Sequence, residues 1–209
     1  MSAIDIHDLT VTFPDGTVGL ADIDLAVQPE EFLVLIGASG SGKTTLVEQV
    51  IATFRARELR VSVVKHAHHK FDIDRPGKDS WRHREAGAFE VVLASSRRLA
   101  LMREFEQPAE LSVHHLIAEL YDGVDWVLVE GYKYSNLPKI EVWRAETGHS
   151  ALYPDDPFVA AIATDAPDRL PQPTERPVLD INDAVAVADW LLAQQERFVY
   201  DPQRHLPAG

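Results

Sequence analysis

The chain of 209 residues lacks cysteine, which excludes disulfide bonds and thiolate metal sites. It also lacks any stretch with the length and apolar character of a membrane span. Residues 1–8 contain neither the basic segment nor the apolar run of a secretory signal. These absences predict a soluble, cytoplasmic protein with no membrane partner.

Basic residues are scarce beside acidic ones. The chain has 20 Lys and Arg against 33 Asp and Glu, a formal net charge of -13. A general nucleic-acid binder usually presents a basic face, so this balance argues against nucleic acid as a partner. The acidic charge balance does not exclude phosphate ligands, because one locally basic loop is enough to bind them. With 45% hydrophobic residues, the chain can form the core of one large domain, or of one domain with an appendage.

A phosphate-binding loop is the strongest motif in the sequence. The apolar run Phe32–Ile36 predicts a buried strand, and the spacing Gly-x-x-x-x-Gly-Lys-Thr follows it directly. Glycines at these positions let successive backbone N–H groups turn toward phosphate oxygens. Lys43 would neutralise the β- and γ-phosphates, Thr44 would offer a hydroxyl to Mg²⁺, and the next helix would add its positive end. We expect nucleotide contacts from Gly37, Ser39, Gly40, Ser41, Gly42, Lys43, Thr44 and Thr45.

Strands and helices alternate along the rest of the chain. Strands are predicted at 61–65, 91–94, 99–102, 126–130, 139–143 and 158–163, and helices at 43–58, 80–86, between Pro108 and Leu120, and after Asn182. Asn182 is expected to cap the last helix, with Val185, Ala188 and Leu192 facing inward. The order predicts an α/β phosphate-loop NTPase fold, whose mostly parallel sheet is flanked by helices and accompanied by some antiparallel strands. The predicted organisation is a β-hairpin at 1–30, a nucleotide-binding domain at 31–198 and a disordered tail at 199–209.

Carboxylates follow three of the predicted strands. Glu130 ends the strand 126–130, where an acid in phosphate-loop proteins holds or orients the Mg²⁺ shell; the alternative is a surface Glu at a strand end. Asp72 and Asp74 follow the second strand, so one of them could position the attacking water, although turn chemistry before a Pro-Gly pair is equally compatible. Asp165 ends the last predicted strand and could accept two hydrogen bonds from the N1 and N2 edge of guanine, or simply begin a loop.

Histidines are concentrated at His66, His68 and His69, close to Asp72. A metal site is conceivable, but the spacing matches no standard closed site, and strand alternation would put His68 and His69 on opposite faces. A contact to phosphate or to a partner's ligand is the favoured interpretation. The same segment is locally basic, as an anion-binding loop would need, through Lys65, Lys70, Arg75 and Lys78.

The first 30 residues resemble the start of an ATP-binding cassette (ABC) ATPase, in the hairpin order and the phrase Phe13-Pro-Asp-Gly. In that family an aromatic residue near this point stacks on adenine, whereas a hairpin core residue is the alternative for Phe13. The Leu-Ser-Gly-Gly-Gln signature, the Q-loop and the Asp-Glu strand end of that family are missing from the sequence. The front end therefore looks borrowed or fused, and it could cover a sheet edge or alter dimer contacts.

Besides the phosphate loop, the sequence contains the motifs Lys65-His-Ala-His-His-Lys-Phe-Asp-Ile-Asp, Pro76-Gly-Lys-Asp-Ser-Trp-Arg-His-Arg-Glu-Ala-Gly, Leu128-Val-Glu-Gly-Tyr-Lys, Lys139-Ile-Glu-Val, Ala163-Thr-Asp and Ile181-Asn-Asp. In these motifs the chain resembles, from Gly37 onward, the MobB family, the accessory GTP-binding proteins of molybdopterin-guanine dinucleotide biosynthesis. The resemblance covers residues 31 to about 195 and implies a homodimer that binds GTP with Mg²⁺ and hydrolyses it slowly. It also implies a partner, the guanylyltransferase that attaches GMP to molybdopterin, while direct binding of molybdopterin stays open.

The predicted function is a slow GTPase that acts mainly as an adaptor. Lys43 would neutralise the phosphates, Thr44 and Glu130 would organise Mg²⁺, and Asp72 or Asp74 would position water or sense the γ-phosphate. No arginine finger or catalytic Gln can be picked out, which agrees with slow turnover. The alternatives are an ABC-type ATPase fragment in transport, a small-molecule kinase, and a nucleotide-gated binding module whose hydrolysis is incidental.

Overall fold

A computed structural model describes residues 4–12, 18–27, 31–38, 40–67, 73–107, 111–121 and 123–200 of the chain. These residues belong to two compact units, one formed by 67–112 and the other by the segments before and after it. The sequence analysis treated 31–198 as one domain. No helix in the described part combines the length and apolar character that crossing a membrane requires.

Ten strands, four α-helices and three short 3-10 helices make up the described regular structure. The strands are β1 (Ile4–Thr12), β2 (Val18–Val27), β3 (Glu31–Ile36), β4 (Val61–Lys65), β5 (Glu90–Ala94), β6 (Leu99–Arg103), β7 (Trp126–Glu130), β8 (Lys139–Val142), β9 (Val159–Thr164) and β10 (Val178–Asp180). The helices are α1 (Lys43–Ala56), α2 (Asp79–Glu85), α3 (Val113–Ala118) and α4 (Ala184–Ala193).

Six strands of the larger unit form one parallel sheet in the order β10-β9-β8-β3-β7-β4. In this order β3 and β8 are neighbours, and the chain leaves β3 toward β4 on one side and leaves β8 toward β9 on the other, so a topological switch point lies between β3 and β8. In parallel α/β sheets ligands bind at such a point, outside the carboxyl ends of the strands. The predicted α/β phosphate-loop fold with a mostly parallel sheet is therefore confirmed, and β1–β2 and β5–β6 are the accompanying antiparallel pairs.

Strand β3 is buried on both faces because helices cover both sides of the sheet. Leu33 and Leu35 point toward α1 and α4, where they join a core that includes Phe54 of α1. Val34 and Ile36 point to the opposite side, into a second core that includes residues of α3. This burial explains the uninterrupted apolar run in the sequence, since a strand covered on both faces shows no alternation with polar residues.

Strand β8 begins late along β3 and therefore runs beyond its end. Lys139 pairs with Val34 and Glu141 with Ile36, so Val142 lies level with the first residue after β3. Only residues 131–138 connect the end of β7 to β8, and Pro138 accepts a hydrogen bond from the Val34 N–H at 3.1 Å. The short connection thus shifts β8 toward the carboxyl end of the sheet, where its last residues flank the phosphate loop.

A buried lysine holds this connection in place. The side chain of Lys139 is fully buried, and its Nζ lies 2.9 Å from Asp156 Oδ2. The same Nζ donates to the carbonyls of Lys133 at 3.0 Å and Ser135 at 2.6 Å. All three donors of the ammonium group are therefore used, and the loop that follows Glu130 is tied to the segment that precedes β9.

The last helix, α4, differs from the prediction in its capping residue and in the residues that face inward. Asp183, not Asn182, caps α4, because its side chain accepts from the Ala186 N–H at 2.9 Å. Asn182 is instead bonded back to Asp180, through both its backbone N–H and its side-chain amide. Val185, predicted to face inward, is 53% exposed, and the buried positions of α4 are Ala184, Val187, Ala188 and Leu191.

The short strand β10 begins just after residues 166–177, a Pro-rich segment, and was not predicted. The predicted turn at Pro14–Gly16 and residue Phe13 lie outside the described residues, as do residues 201–209 of the predicted tail. Tyr200, at the start of that tail, is bonded through its hydroxyl to His114 Nδ1 at 2.9 Å.

Replacing Lys139 with Ala should lower the free energy of unfolding by about 3–5 kcal/mol, because it leaves Asp156 and two carbonyls without their partner in a buried site. Urea denaturation measures the loss. The matched control is Arg57→Ala, which removes a surface ion pair with Asp189 and should cost about 0–1 kcal/mol. Equal losses in the two variants would contradict a structural role for Lys139.

Candidate functional site

The phosphate loop follows β3 and ends where α1 begins. Gly42 is the N-cap residue of α1, with a φ of 90°, and among the described residues no side chain caps the helix. The first turn of α1 also contains no acidic residue. The positive end of the helix dipole is therefore not neutralised from within the helix, which is the arrangement that favours a bound anion.

Gly37 has a packing reason to be glycine. Its φ is 151°, and a Cβ placed on it would lie 2.3 Å from the carbonyl oxygen of Val142. That oxygen belongs to the part of β8 that runs beyond β3. The backbone of the loop and the backbone of β8 consequently approach each other more closely than any side chain would allow.

Lys43 lies across the loop, where its Nζ donates to the Ala38 carbonyl at 2.7 Å. Burial lowers the pKa of Lys43 from its ordinary value of 10.5, the carboxylate of Glu130 acts to raise it, and the charge of Lys65 acts to lower it. A partly desolvated ammonium group interacts more strongly with an anion than an exposed one does. The position suits a charge that binds phosphate.

Thr44 and Glu130, the two residues predicted to organise Mg²⁺, are in contact at the end of β7. The Thr44 hydroxyl donates to Glu130 Oε1 at 2.8 Å, and Lys65 Nζ lies 3.3 Å from Glu130 Oε2. Pairing of β4 and β3 with β7 brings these side chains together, because Leu35 and Lys65 both lie opposite Glu130. Hydroxyl and carboxylate oxygens are the hard ligands that Mg²⁺ takes from proteins, so the donor set fits that ion.

Asp165 follows β9 and pairs with Arg144, which follows β8. Arg144 Nε lies 3.3 Å from Asp165 Oδ2, and the two side chains are 31% and 26% exposed. The guanidinium is also close to the loop, since its Nη2 is 3.6 Å from the position of a Cβ on Gly42. Asp165 thus lies on the β9 side of the loop, and Glu130 lies on the β7 side.

Arg144 was missed by the sequence analysis. A usable signal was present, because it is a charged residue at the carboxyl end of a predicted parallel strand, the same rule that selected Glu130 and Asp165.

Three further residues of the predicted phosphate loop are described by the structure, and a fourth is not. Ser41 is buried, and its hydroxyl forms no hydrogen bond with any residue that the structure describes. Gly40 has a φ of 79° and Thr45 is exposed in the first turn of α1. Ser39 lies outside the described residues.

Asp74 belongs to the smaller unit, where it organises a turn. Its Oδ1 accepts from the Arg75 N–H at 2.9 Å and from the Ser80 hydroxyl at 3.0 Å, while Oδ2 lies 3.4 Å from Arg84 Nε. These bonds agree with the turn interpretation, and a catalytic role for Asp74 stays a prediction. Asp72 lies outside the described residues.

His66 is the one member of the histidine cluster that the structure describes. Its ring stacks on Tyr132 with 4.5 Å between centroids, and its backbone N–H donates to the Glu130 carbonyl at 2.9 Å. Gly131 lies between Glu130 and Tyr132 in the sequence. A Cβ on Gly131 would lie 2.8 Å from His66 Cβ, so the stack of His66 on Tyr132 requires a glycine at this position. His68 and His69 lie outside the described residues, and within the described part no group of three metal-ligating side chains occurs.

Comparison with known proteins gives a consistent family. The model of MobB, "Molybdopterin guanine dinucleotide synthesis protein B", matches residues 32–165. The molybdopterin-guanine dinucleotide biosynthesis adapter protein of Haemophilus influenzae is 43% identical over 161 residues, which are 76% of this chain and 86% of that protein. The crystal structure of a MobB homolog from Bacillus stearothermophilus superposes with a TM-score of 0.56 at 26% identity, over 79% of this chain and 97% of the homolog.

A shorter similarity links the chain to an ABC ATPase. The phosphonates import ATP-binding protein PhnC of Burkholderia pseudomallei is 56% identical over 62 residues, which are 30% of this chain and 20% of PhnC. The match agrees with the expectation that a short part of the chain resembles ABC ATPases and a longer part resembles the MobB family.

Replacing Gly37 with Ala should lower the free energy of unfolding by about 2 kcal/mol or more. The new methyl group would overlap the Val142 carbonyl, so the loop or the end of β8 would have to move. Gly40→Ala is the matched control. A Cβ there meets nothing within 4 Å, so only its positive φ opposes the change, at about 1–2 kcal/mol. Urea denaturation of both variants measures the difference, and a Gly37→Ala loss no larger than that of the control would contradict the close approach.

Proposed function

We propose that this chain, which belongs to the MobB family, binds GTP with Mg²⁺ and assists the guanylyltransferase that attaches GMP to molybdopterin. The match over residues 32–165 covers well over half of the 209 residues, and the role in molybdenum-cofactor biosynthesis follows from the family. The nucleotide, the metal ion and the partner enzyme are the proposal.

One observation carries the nucleotide proposal: Lys43 and the Thr44–Glu130 pair converge on the uncapped amino end of α1. Lys43 supplies a positive charge to the β- and γ-phosphates, and the helix end adds a partial charge of the same sign. Thr44 and Glu130 supply oxygen atoms that would hold Mg²⁺, directly or through water. When bound, the ion would neutralise charge on the phosphate oxygens.

Guanine rather than adenine is proposed as the base because of Asp165. A carboxylate can accept two hydrogen bonds from the N1 and N2 edge of guanine, and adenine offers no such pair of donors. Asp165 follows β9, two strands away from β3, at the same carboxyl edge of the sheet as the phosphate loop. Slow hydrolysis and a cytoplasmic location stay predictions from the sequence, and direct contact with molybdopterin stays open.

An ABC-type ATPase is the second candidate, and the PhnC similarity is the observation that favours it. That similarity extends over a fifth of PhnC, and the sequence lacks the Leu-Ser-Gly-Gly-Gln signature with which an ABC partner contacts the nucleotide. Glu130 also ends β7 without a preceding Asp. A preference for ATP over GTP would favour this candidate.

The adaptor role predicts nucleotide-dependent association with the guanylyltransferase. With Mg²⁺–GTP, the purified enzyme should bind this chain about fivefold more tightly or better than without nucleotide, since coupling between two sites is typically of that size. Biolayer interferometry with the immobilised chain measures both affinities. Lys43→Ala is the control and should bind the enzyme without any response to GTP. An affinity that is the same with GTP, with ATP and without nucleotide would contradict the proposal.

A homodimer is also proposed, and the β5–β6 hairpin is the surface that supports it. Val92 pairs with Leu101, and Leu99 lies two residues from Leu101 on the same face. These three side chains are 55%, 43% and 68% exposed, in that order. A two-stranded hairpin with an exposed apolar face is marginal in water, and a second copy would bury the same face of both chains.

Replacing Leu101 with Asp should therefore convert the dimer to a monomer, because the interface would bury an unpaired carboxylate from each chain. Light scattering after size exclusion measures the mass. Tyr121→Asp, at a 75% exposed position outside the hairpin, is the control and should remain dimeric. A wild-type chain that is monomeric, or a dimeric Leu101→Asp variant, would rule out this interface.

A further inference from the structure

We propose that Arg144 is a ligand of the phosphate tail of the bound nucleotide, held at the loop by Asp165. The inference rests on the proposed nucleotide-binding function and adds a residue to that site. Arg144 lies outside the Gly-x-x-x-x-Gly-Lys-Thr motif and 101 positions after Lys43 in the sequence.

The backbone around Arg144 is fixed beside the loop. The Trp143 N–H donates to the Ala163 carbonyl at 3.0 Å, which continues the pairing of β8 with β9 beyond Val142. On the other side, the Thr147 hydroxyl donates to the Arg144 carbonyl at 2.8 Å. Because β8 runs past the end of β3, these bonds hold Arg144 level with the phosphate loop rather than with the sheet.

The guanidinium group is oriented by its Nε edge. Arg144 Nε is buried and faces Asp165 Oδ2 at 3.3 Å, too poorly aligned for a hydrogen bond. Among the guanidinium atoms, Nη2 comes nearest to the position of a Cβ on Gly42, at 3.6 Å, and Ile181 Cδ1 lies 3.4 Å from the same position. Asp165 therefore holds one edge of the guanidinium, while the outer nitrogen reaches the residue at which α1 begins.

The charge balance around the loop favours an anion at this point. Arg144 lies beside Gly42, the positive end of α1, and Lys43 and Lys65 lie on the other side of the loop. Among the described residues, Asp165 is the one ion-pair partner of Arg144. Three cations thus face two carboxylates, since Glu130 pairs with Lys65 and Asp165 with Arg144. The remaining positive charge and the amino end of α1 favour a bound anion.

Phosphate is the anion that suits this arrangement. Arginine presents five N–H donors in a planar fork, which matches two oxygens of a phosphate group. With Nε directed at Asp165, the terminal nitrogens remain to donate to phosphate. Asp165 then has two tasks, since it anchors Arg144 through Oδ2 and contacts the base through the rest of its carboxylate, so that the phosphate end and the base end of the site are joined.

The test separates a phosphate contact from an effect on the base. Isothermal titration with Mg²⁺–GTP, Mg²⁺–ATP and Mg²⁺–tripolyphosphate is carried out on wild type, Arg144→Ala, Arg144→Lys and Asp165→Asn. Tripolyphosphate has no base, so a residue that acts only through guanine recognition cannot change its affinity. The matched control is Arg169→Ala, an exposed arginine in the short helix 167–169.

Arg144→Ala should weaken GTP and tripolyphosphate by about tenfold or more, with the GTP-to-ATP ratio kept, because a charge-assisted hydrogen bond to phosphate is lost. Arg144→Lys should weaken GTP and tripolyphosphate by a smaller factor, again with the GTP-to-ATP ratio kept. If Arg144→Ala does not fold, the affinities of Arg144→Lys test the proposal. Asp165→Asn should lower the GTP-to-ATP ratio and weaken tripolyphosphate less than Arg144→Ala does.

Two results would overturn the inference and leave the proposed function intact. In the first, the Arg144 variants bind tripolyphosphate like wild type and Arg169→Ala. In the second, they lose GTP affinity alone, so that Arg144 serves only the base. A wild-type chain that binds neither GTP nor tripolyphosphate would instead end the proposed function, and the inference with it.

Discussion

Strand β3 is hydrogen-bonded to β7 on one side and to β8 on the other, and this double pairing fixes what surrounds the phosphate loop. On the β7 side, Glu130 ends the strand and meets the Thr44 hydroxyl. On the β8 side, the strand runs one residue past β3, so the Val142 carbonyl lies against Gly37 and Arg144 lies beside Gly42. The loop is thus placed by neighbours that are distant in sequence and adjacent in the sheet.

The site is locally positive, although the chain as a whole is negative. With a net charge of -13, the protein as a whole repels anions at long range. Around the loop, however, Lys43, Lys65, Arg144 and the amino end of α1 form a local positive region, in which Glu130 and Asp165 each pair with one cation. Salt screens the long-range repulsion within about 10 Å at ordinary ionic strength, while the partly buried contacts are screened much less. A phosphate ligand therefore responds mainly to the local region.

The sequence predicts those parts of this site that depend on local pattern. The loop, the buried strand before it and the acid at Glu130 follow from spacing and apolar runs. The cap of α4 was misplaced by one residue because Asn182 and Asp183 are both good capping residues, and only the bonds from Asn182 to Asp180 decide between them. Strand β10 has three residues, too few for a periodic signal. The sequence shows that Arg144 follows a predicted strand, but its place beside Gly42 depends on the register of β8. That register is set by a short connection and the buried Lys139, and no local pattern encodes it.

In the proposed function, the segment from β3 to α1 binds the triphosphate of GTP. The most direct measurement is the stabilisation of the wild-type chain against thermal unfolding by Mg²⁺–GTP, with Mg²⁺–ATP for comparison. At a GTP concentration of a hundred times its dissociation constant, the account predicts a gain of about 2.7 kcal/mol in the free energy of unfolding, and a clearly smaller gain with ATP at the same concentration. No stabilisation by either nucleotide would contradict it.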